Sequence, residues 1–140
     1  MAAKAASTPG RKKASNIFKE AESFSSFSVD DLKKAKDFYS QTLGLDVKET
    51  QEGLELHNGN NTVFLYPKPN HTPASFTVLN FAVDDIEKAV DELNAMGINL
   101  EQYNLADIKT DERGIARGER GPTIAWFKDP AGNILSVLEE

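Results

Sequence analysis

The chain lacks cysteine altogether and has one tryptophan, two methionines and two histidines in 140 residues. Without cysteine there is no disulfide framework, no thiolate ligand and no thiol nucleophile, a composition that suits a reducing compartment. No HxH, HExxH or carboxylate cluster occurs, and neither does a G-x-S-x-G elbow, a phosphate loop or a dinucleotide fingerprint. No apolar run approaches membrane-spanning length, and the N-terminus has no apolar signal core. The expectation is a cytoplasmic protein that meets no membrane. Basic charge is also scarce where a fold would form: residues 21–140 carry 11 basic against 21 acidic residues. An acidic body argues against nucleic acid, because phosphate binding needs a basic face.

The positive charge that does exist sits at the front. Lys4, Arg11, Lys12, Lys13 and Lys19 face only Glu20 within the first 20 residues. Such an arm could touch a polyanion or act in targeting. Its Ala, Ser, Thr, Pro and Gly surroundings describe a disordered extension instead, so residues 1–21 are expected to lie outside the folded part. Residues 22–140 are enough for one core and one domain.

Within that domain the chain repeats itself. VDDLKKAKD at 29–37 is answered by VDDIEKAVD at 83–91, and each copy runs on to a glycine, Gly44 and Gly97. Self-similarity at such a period means one supersecondary unit used twice, here about 22–67 and 75–140. SFSSFS (23–28) alternates as a strand, and a helix capped by Asp30 or Asp31 follows, with Leu32, Ala35, Tyr39 and Leu43 on one side. LDVKET (45–50), GLELH (53–57) and TVFLY (62–66) read as strands, the last two joined by an Asn58-Gly59 turn. Pro67, Pro69 and Pro73 punctuate the linker. The second copy opens with SFTVLNFAV (75–83) and predicts a helix from Asp84 with Glu87 completing a capping box. That helix would bury Ile86, Ala89, Val90, Leu93 and Met96. Strands are expected at INLEQY (98–103), TIAWF (123–127) and ILSVL (134–138), the last pair around the DPAGN turn (129–133). The fold class is therefore α+β: two tandem βαβββ units forming a curled mixed sheet, a cup, with the helices outside.

A duplicated unit with VDDLKKAKDFYSQTLGL near its start and WFKDPAGNILSVLE at its end resembles the vicinal oxygen chelate superfamily, which contains glyoxalases, bleomycin-resistance proteins and extradiol dioxygenases. The resemblance implies a cup holding a divalent metal, with one ligand from each of four strands. The first ligand position lies five residues before Val29, at Phe24, and its counterpart before Val83 is Val78. The final carboxylate position, seven residues after Asp129, is Ser136, and its partner falls at Phe64. None of these four supplies the imidazole or carboxylate donors that a divalent cation needs, so no metal and no cofactor are expected.

If those four positions face inward, strand parity brings their i±2 neighbours with them. The expected lining is Phe24, Ser26 and Ser28; Phe64 and Tyr66; Val78, Asn80 and Ala82; and Ser136 and Leu138. His57 is a further candidate, sharing a strand face with Glu55, and Trp126 could close the pocket by stacking. Each has a plainer reading: the phenylalanines as filling of the cup, Trp126 as core, and Glu55 with His57 as a solvated face. His71, in PKPNHTP, is expected to face water or a subunit boundary. The stretch 104–121 is long enough for a flap whose Arg113, Arg117 and Arg120 could meet an anionic ligand. These features favour a metal-independent binding protein for a small, partly aromatic organic molecule, with no catalytic residue assigned. A lyase- or dioxygenase-like enzyme with a displaced active site is the alternative. The stiff proline linker and the resemblance both point to a homodimer.

Overall fold

The computed structural model describes residues 16–118 and 121–140. Most of the expected N-terminal extension, and Arg120 of the expected flap, lie outside these residues. A single exposed helical turn, α1 (Ile17–Glu20), precedes the domain.

Two four-stranded sheets follow, one per unit. In the first, β1 (Ser25–Val29), β2 (Asp46–Glu49), β3 (Leu54–Asn58) and β4 (Asn61–Pro67) are ordered β1-β4-β3-β2. In the second, β5 (Thr77–Val83), β6 (Ile115–Ala116), β7 (Thr123–Lys128) and β8 (Ile134–Glu139) are ordered β5-β8-β7-β6. First and last strands of each unit run parallel and the other neighbours antiparallel. The architecture is the expected α+β pair of tandem units.

The helices start where the repeat says they should, on its second aspartate. α2 (Leu32–Lys36) is capped by Asp31, which accepts from the Lys34 N–H at 3.1 Å. α3 (Ile86–Ala95) is capped by Asp85, which accepts from the Lys88 N–H at 3.1 Å. The expected capping box from Asp84 to Glu87 is thus not formed. A start one residue later puts Glu87 on the outer face, where its carboxylate pairs with Arg113 and Arg117. Gly44 and Gly97 both take positive φ, 75° and 84°, and end the helical segments without the Cβ clash of other residues. Met96 sits at the α3 C-cap and is 43% exposed, so it is not part of the core.

Period-2 alternation sorts each strand onto two faces. Phe27, Val29, Leu54, Leu56, Val63 and Leu65 of the first sheet are buried, as are Ala125, Phe127, Leu135 and Val137 of the second. They join Ala35, Tyr39, Ile86, Val90 and Leu93 from the helical segments in one core. Each such large side chain, fully buried, is worth roughly 1.5–3 kcal/mol before the cost of ordering it. The alternate positions form the opposite, open face: Ser26, Ser28, Glu55, His57, Phe64 and Tyr66 in the first unit, and Asn80, Ala82, Trp126, Ser136 and Leu138 in the second.

One expected strand does not form. Residues 98–103 join no ladder, although the Glu101 N–H donates to the Trp126 carbonyl at 2.8 Å. The edge beside β7 is taken by β6, from the stretch expected to be a flap. Ile115 pairs with Ala125 and is almost completely buried there.

Candidate ligand-binding site

Strand register defines rows across each open face. In the first sheet Ser26, Phe64, Glu55 and Lys48 lie side by side across β1, β4, β3 and β2. His57 and Thr62 pair one step along, and Ser28 pairs with Tyr66. A cavity of about 360 Å³ opens on this face, lined by Phe24, Thr50, Glu52, Glu55, His57, Thr62 and Phe64. All seven come from the first unit.

The cavity has an apolar side and a polar side. Phe24 precedes β1 and is 65% exposed, so its ring stands at the rim rather than filling the interior. Phe64 stacks on Tyr66 with ring centroids 6.5 Å apart and an interplanar angle of 18°. On the polar side Glu55 Oε1 lies 3.1 Å from His57 Nε2. A carboxylate oxygen only accepts, so Nε2 carries the proton and Nδ1 faces the Thr62 hydroxyl at 3.4 Å. Thr50 Oγ1 accepts from the Gly53 N–H at 3.1 Å, pinning the turn that carries Glu52 to the mouth.

The second open face is arranged differently. Asn80, Ser136 and Trp126 form its middle row. Ser136 is fully covered, and its hydroxyl donates to Asn80 Oδ1. The Trp126 indole N–H donates to Thr77 Oγ1 at 3.1 Å, and its ring meets Tyr103 edge-on at 5.4 Å. Trp126 also borders an open groove lined by parts of 106–109, 116–118 and 121–124.

A third hollow, of about 420 Å³, lies between the units. Ser26, Ser28, Tyr66, Phe76, Val78 and His71 are among its lining residues. His71 does not simply face water as expected: Ser28 Oγ is 2.6 Å from its Nδ1, and its Nε2 is 3.1 Å from the Ala131 carbonyl.

The nine candidate site residues are therefore distributed over four places within the chain. Phe24, His57 and Phe64 meet in the first cavity; Ser26, Tyr66 and Val78 meet in the hollow between the units; Trp126 borders the groove, and Asn80 with Ser136 forms a closed hydrogen-bonded pair. Thr50, Glu52 and Thr62 were missed. Parity from Phe64 reaches Thr62, and the β3–β4 register would have joined it to His57. The expected arginine flap is otherwise engaged. Arg113 bonds Glu87 Oε1 at 3.0 Å and also Asp91, and Arg117 approaches Glu87 Oε2 at 3.3 Å, so both lie along α3. Burial pushes the Asp111 carboxyl up, but the N–H groups of Ile115 and Arg113, helped by Arg117 and Arg113, outweigh it and hold the carboxyl below its ordinary value.

The units are tied together at the DPAGN turn. Buried Asp129 accepts from Tyr39 Oη at 2.7 Å, from the Ala131 and Asn133 N–H groups at 2.9 and 2.8 Å, and from Asn133 Nδ2 at 3.0 Å. Asn133 Nδ2 also donates to the Ser28 carbonyl at 2.9 Å. Burial first, and then the Asp129 charge, push the Tyr39 phenol far above its ordinary value. It stays a protonated donor.

With this arrangement in place, comparison with known proteins is direct. The Glyoxalase/Bleomycin resistance protein/Dioxygenase superfamily profile matches residues 24–137. The chain belongs to this superfamily.

Solved structures of the superfamily fold agree. A glyoxalase family protein from Enterococcus faecalis is 21% identical, covering 87% of this chain and 99% of its own, with a TM-score of 0.64. TnmS3, an antibiotic binding protein from Streptomyces sp. CB03234, is 23% identical over 86% of this chain and 97% of its own, at 0.61. The fosfomycin resistance protein FosX from Listeria monocytogenes is 10% identical over 86% and 93%, at 0.65. Identities this low establish the fold alone. The four positions at which the resemblance leads one to expect metal ligands hold Phe24, Phe64, Val78 and Ser136, and these residues do not fit a cation. Three are hydrocarbon side chains, and the Ser136 hydroxyl is committed to Asn80. Among the described residues, no group of three or more His, Asp or Glu side chains converges elsewhere.

Proposed function

We propose that this protein binds a small, partly aromatic organic molecule on the open face of its first sheet, without a metal ion. The observation that carries the reading is the cavity between the Phe24 and Phe64 rings and the Glu55–His57 pair. Aromatic walls supply stacking area, and the pair with Glu52 supplies oriented acceptors at one end, the usual economy of a small-molecule site. The antibiotic-binding neighbour supports such a role on this fold. Because the cavity is lined by the first unit alone, its open side is available to the second unit of another copy. A homodimer that places Asn80 and Trp126 of one chain opposite Phe64 of the next is the assembly proposed. The cytoplasm is the proposed location, supported by the cysteine-free composition.

Fluorescence titration with a planar aromatic dye such as acridine orange tests the site. Phe64→Ala is expected to weaken binding about tenfold, equivalent to roughly 1.4 kcal/mol. Unchanged affinity in that variant overturns the placement. Asn80→Trp, at an exposed position of the second sheet, should affect binding only if a second copy closes the cavity, and sedimentation of the same samples should then show a dimer. A monomer at high micromolar concentration counts against the assembly.

A further inference from the structure

We propose that Ser28 and His71 form a nucleophile–base pair able to hydrolyse small esters in the hollow between the two units. This inference is independent of the ligand site above, since it concerns a different cavity. The Ala131 carbonyl can only accept a hydrogen bond, so the proton of neutral His71 resides on Nε2, 3.1 Å away. Nδ1 then presents its lone pair, and the Ser28 hydroxyl lies 2.6 Å from it as the only possible donor. A hydroxyl, an imidazole base and a group that fixes the tautomer stand in the order that serine activation requires.

Each member is held by its own anchor. The Ser28 backbone is locked in β1 opposite Tyr66, and its carbonyl accepts from Asn133 Nδ2. His71 rides on a turn whose N–H donates to the Lys68 carbonyl at 2.9 Å, while the Lys68 N–H donates to the Val29 carbonyl at 3.0 Å. Ala131 is fixed by its N–H bond to Asp129. The linker also presses on the same turn: a Cβ at Gly132 would come within 3.2 Å of Pro73 Cγ. Such support holds the pair near productive geometry with little rearrangement. The 420 Å³ hollow lined by Ser28, Tyr66, Phe76 and Val78 admits a small acyl group, and the Tyr66 hydroxyl is a donor in the same wall.

The chemistry balances with water as co-reactant. Ser28 Oγ attacks the ester carbonyl as its proton moves to His71 Nδ1. The carbon–oxygen bond to the leaving alkoxide breaks, and His71 returns the proton to that alkoxide. Water then attacks the acyl-serine, its proton passing through His71 to Ser28 Oγ, and the carboxylic acid departs.

The test uses the full chain and p-nitrophenyl acetate. Wild type is expected to release nitrophenol at least about tenfold faster than Ser28→Ala or His71→Gln, because general-base assistance typically contributes 10²–10⁴-fold. Trapped protein should carry one acetyl group on the peptide containing Ser28. His71→Gln keeps a hydrogen-bonding side chain but cannot take the proton. A second measurement exploits the absence of native cysteine: Ser28→Cys introduces the single thiol of the chain beside His71. Iodoacetamide should alkylate it with a midpoint below the ordinary thiol value of about 8.5, and adding His71→Gln should restore that value. Equal hydrolysis by wild type and Ser28→Ala, or identical alkylation profiles with and without His71, overturns the proposal.

Discussion

The two units share a skeleton and differ in what they do with it. Asp31 and Asp85 cap equivalent helices, Gly44 and Gly97 end them, and the strand order is the same in both sheets. On the open faces, Ser26 answers Asn80, Phe64 answers Ser136 and Glu55 answers Trp126. The helices diverge as well. α3 is regular for ten residues, whereas α2 gives way after five to a wider π-type segment, Asp37–Thr42, that carries Tyr39. Helix caps and core-facing positions are the same in kind in both copies, while the open faces, which lie outside the shared core, carry separate chemistry in each.

The largest expected effect falls where the copies are joined. Asp129→Ala removes four bonds to a buried carboxylate and strands the Tyr39 phenol and the Asn133 amide. A loss on the order of 3 kcal/mol or more in urea unfolding is expected, because bonds to charged groups are the strong ones. If the units hold together mainly by apolar contact, the loss will fall below about 1 kcal/mol.

Tyr39 sharpens the comparison on the alkaline side. Its phenol is raised in the folded state above the ordinary tyrosine value of about 10. The folded protein therefore keeps a proton that the unfolded chain releases, and stability is complete below pH 10 and declines above it. Tyr39→Phe should be less stable at neutral pH and should lose this alkaline decline, as read from melting temperature across the range. A retained decline would assign it to other groups.

The caps compare the units directly. Asp31→Ala and Asp85→Ala should each cost about 1 kcal/mol. The second should cost slightly less, because Glu139 Oε2 also accepts from the Ile86 N–H at 3.0 Å and α2 has no such second acceptor among the described residues. Thermal unfolding of both variants decides the order.

The smallest effect belongs to Asp111, whose lowered carboxyl organises the segment before β6. Its contribution is present above the unfolded carboxylate value, about 3.9, and is lost as pH falls through the lower folded value. Asp111→Asn should raise proteolysis near residues 111–116 at neutral pH with little change in global melting. An unchanged cleavage pattern would remove the carboxylate from that role.

Much of this arrangement was legible in the sequence because it is periodic. The V-D-D repeat located both helices, alternation assigned Phe27 and Val29 to one face and Ser26 and Ser28 to the other, and the DPAGN turn fell where expected. What escaped detection depended on single contests at a distance. The ladder beside β7 is made by β6 and not by 98–103, a distant pairing that local propensity does not encode. Glu87 left the capping box for two arginines 26 and 30 residues away. The Ser28–His71 contact spans 43 residues through a proline-rich linker, so no local spacing could announce it. Division of the candidate lining among separate hollows follows from the relative placement of two sheets, and strand parity carries no such information.

The strand orders β1-β4-β3-β2 and β5-β8-β7-β6 also bear on how the chain is made. In each unit the strand synthesised last is inserted between the first and the third. During translation β1 and β3 must wait with unpaired edges until β4 appears. For the second unit the wait lasts until β8 (Ile134–Glu139) has been made. A nascent chain therefore carries a first unit whose sheet is already complete beside a second that is open at its middle. Contacts closed over long separations form slowly, and bare strand edges recruit other chains. The ILSVLE segment of β8 is thus the closing stave of the second sheet, and slow synthesis or loss of that strand exposes β5 and β7 together rather than fraying a margin.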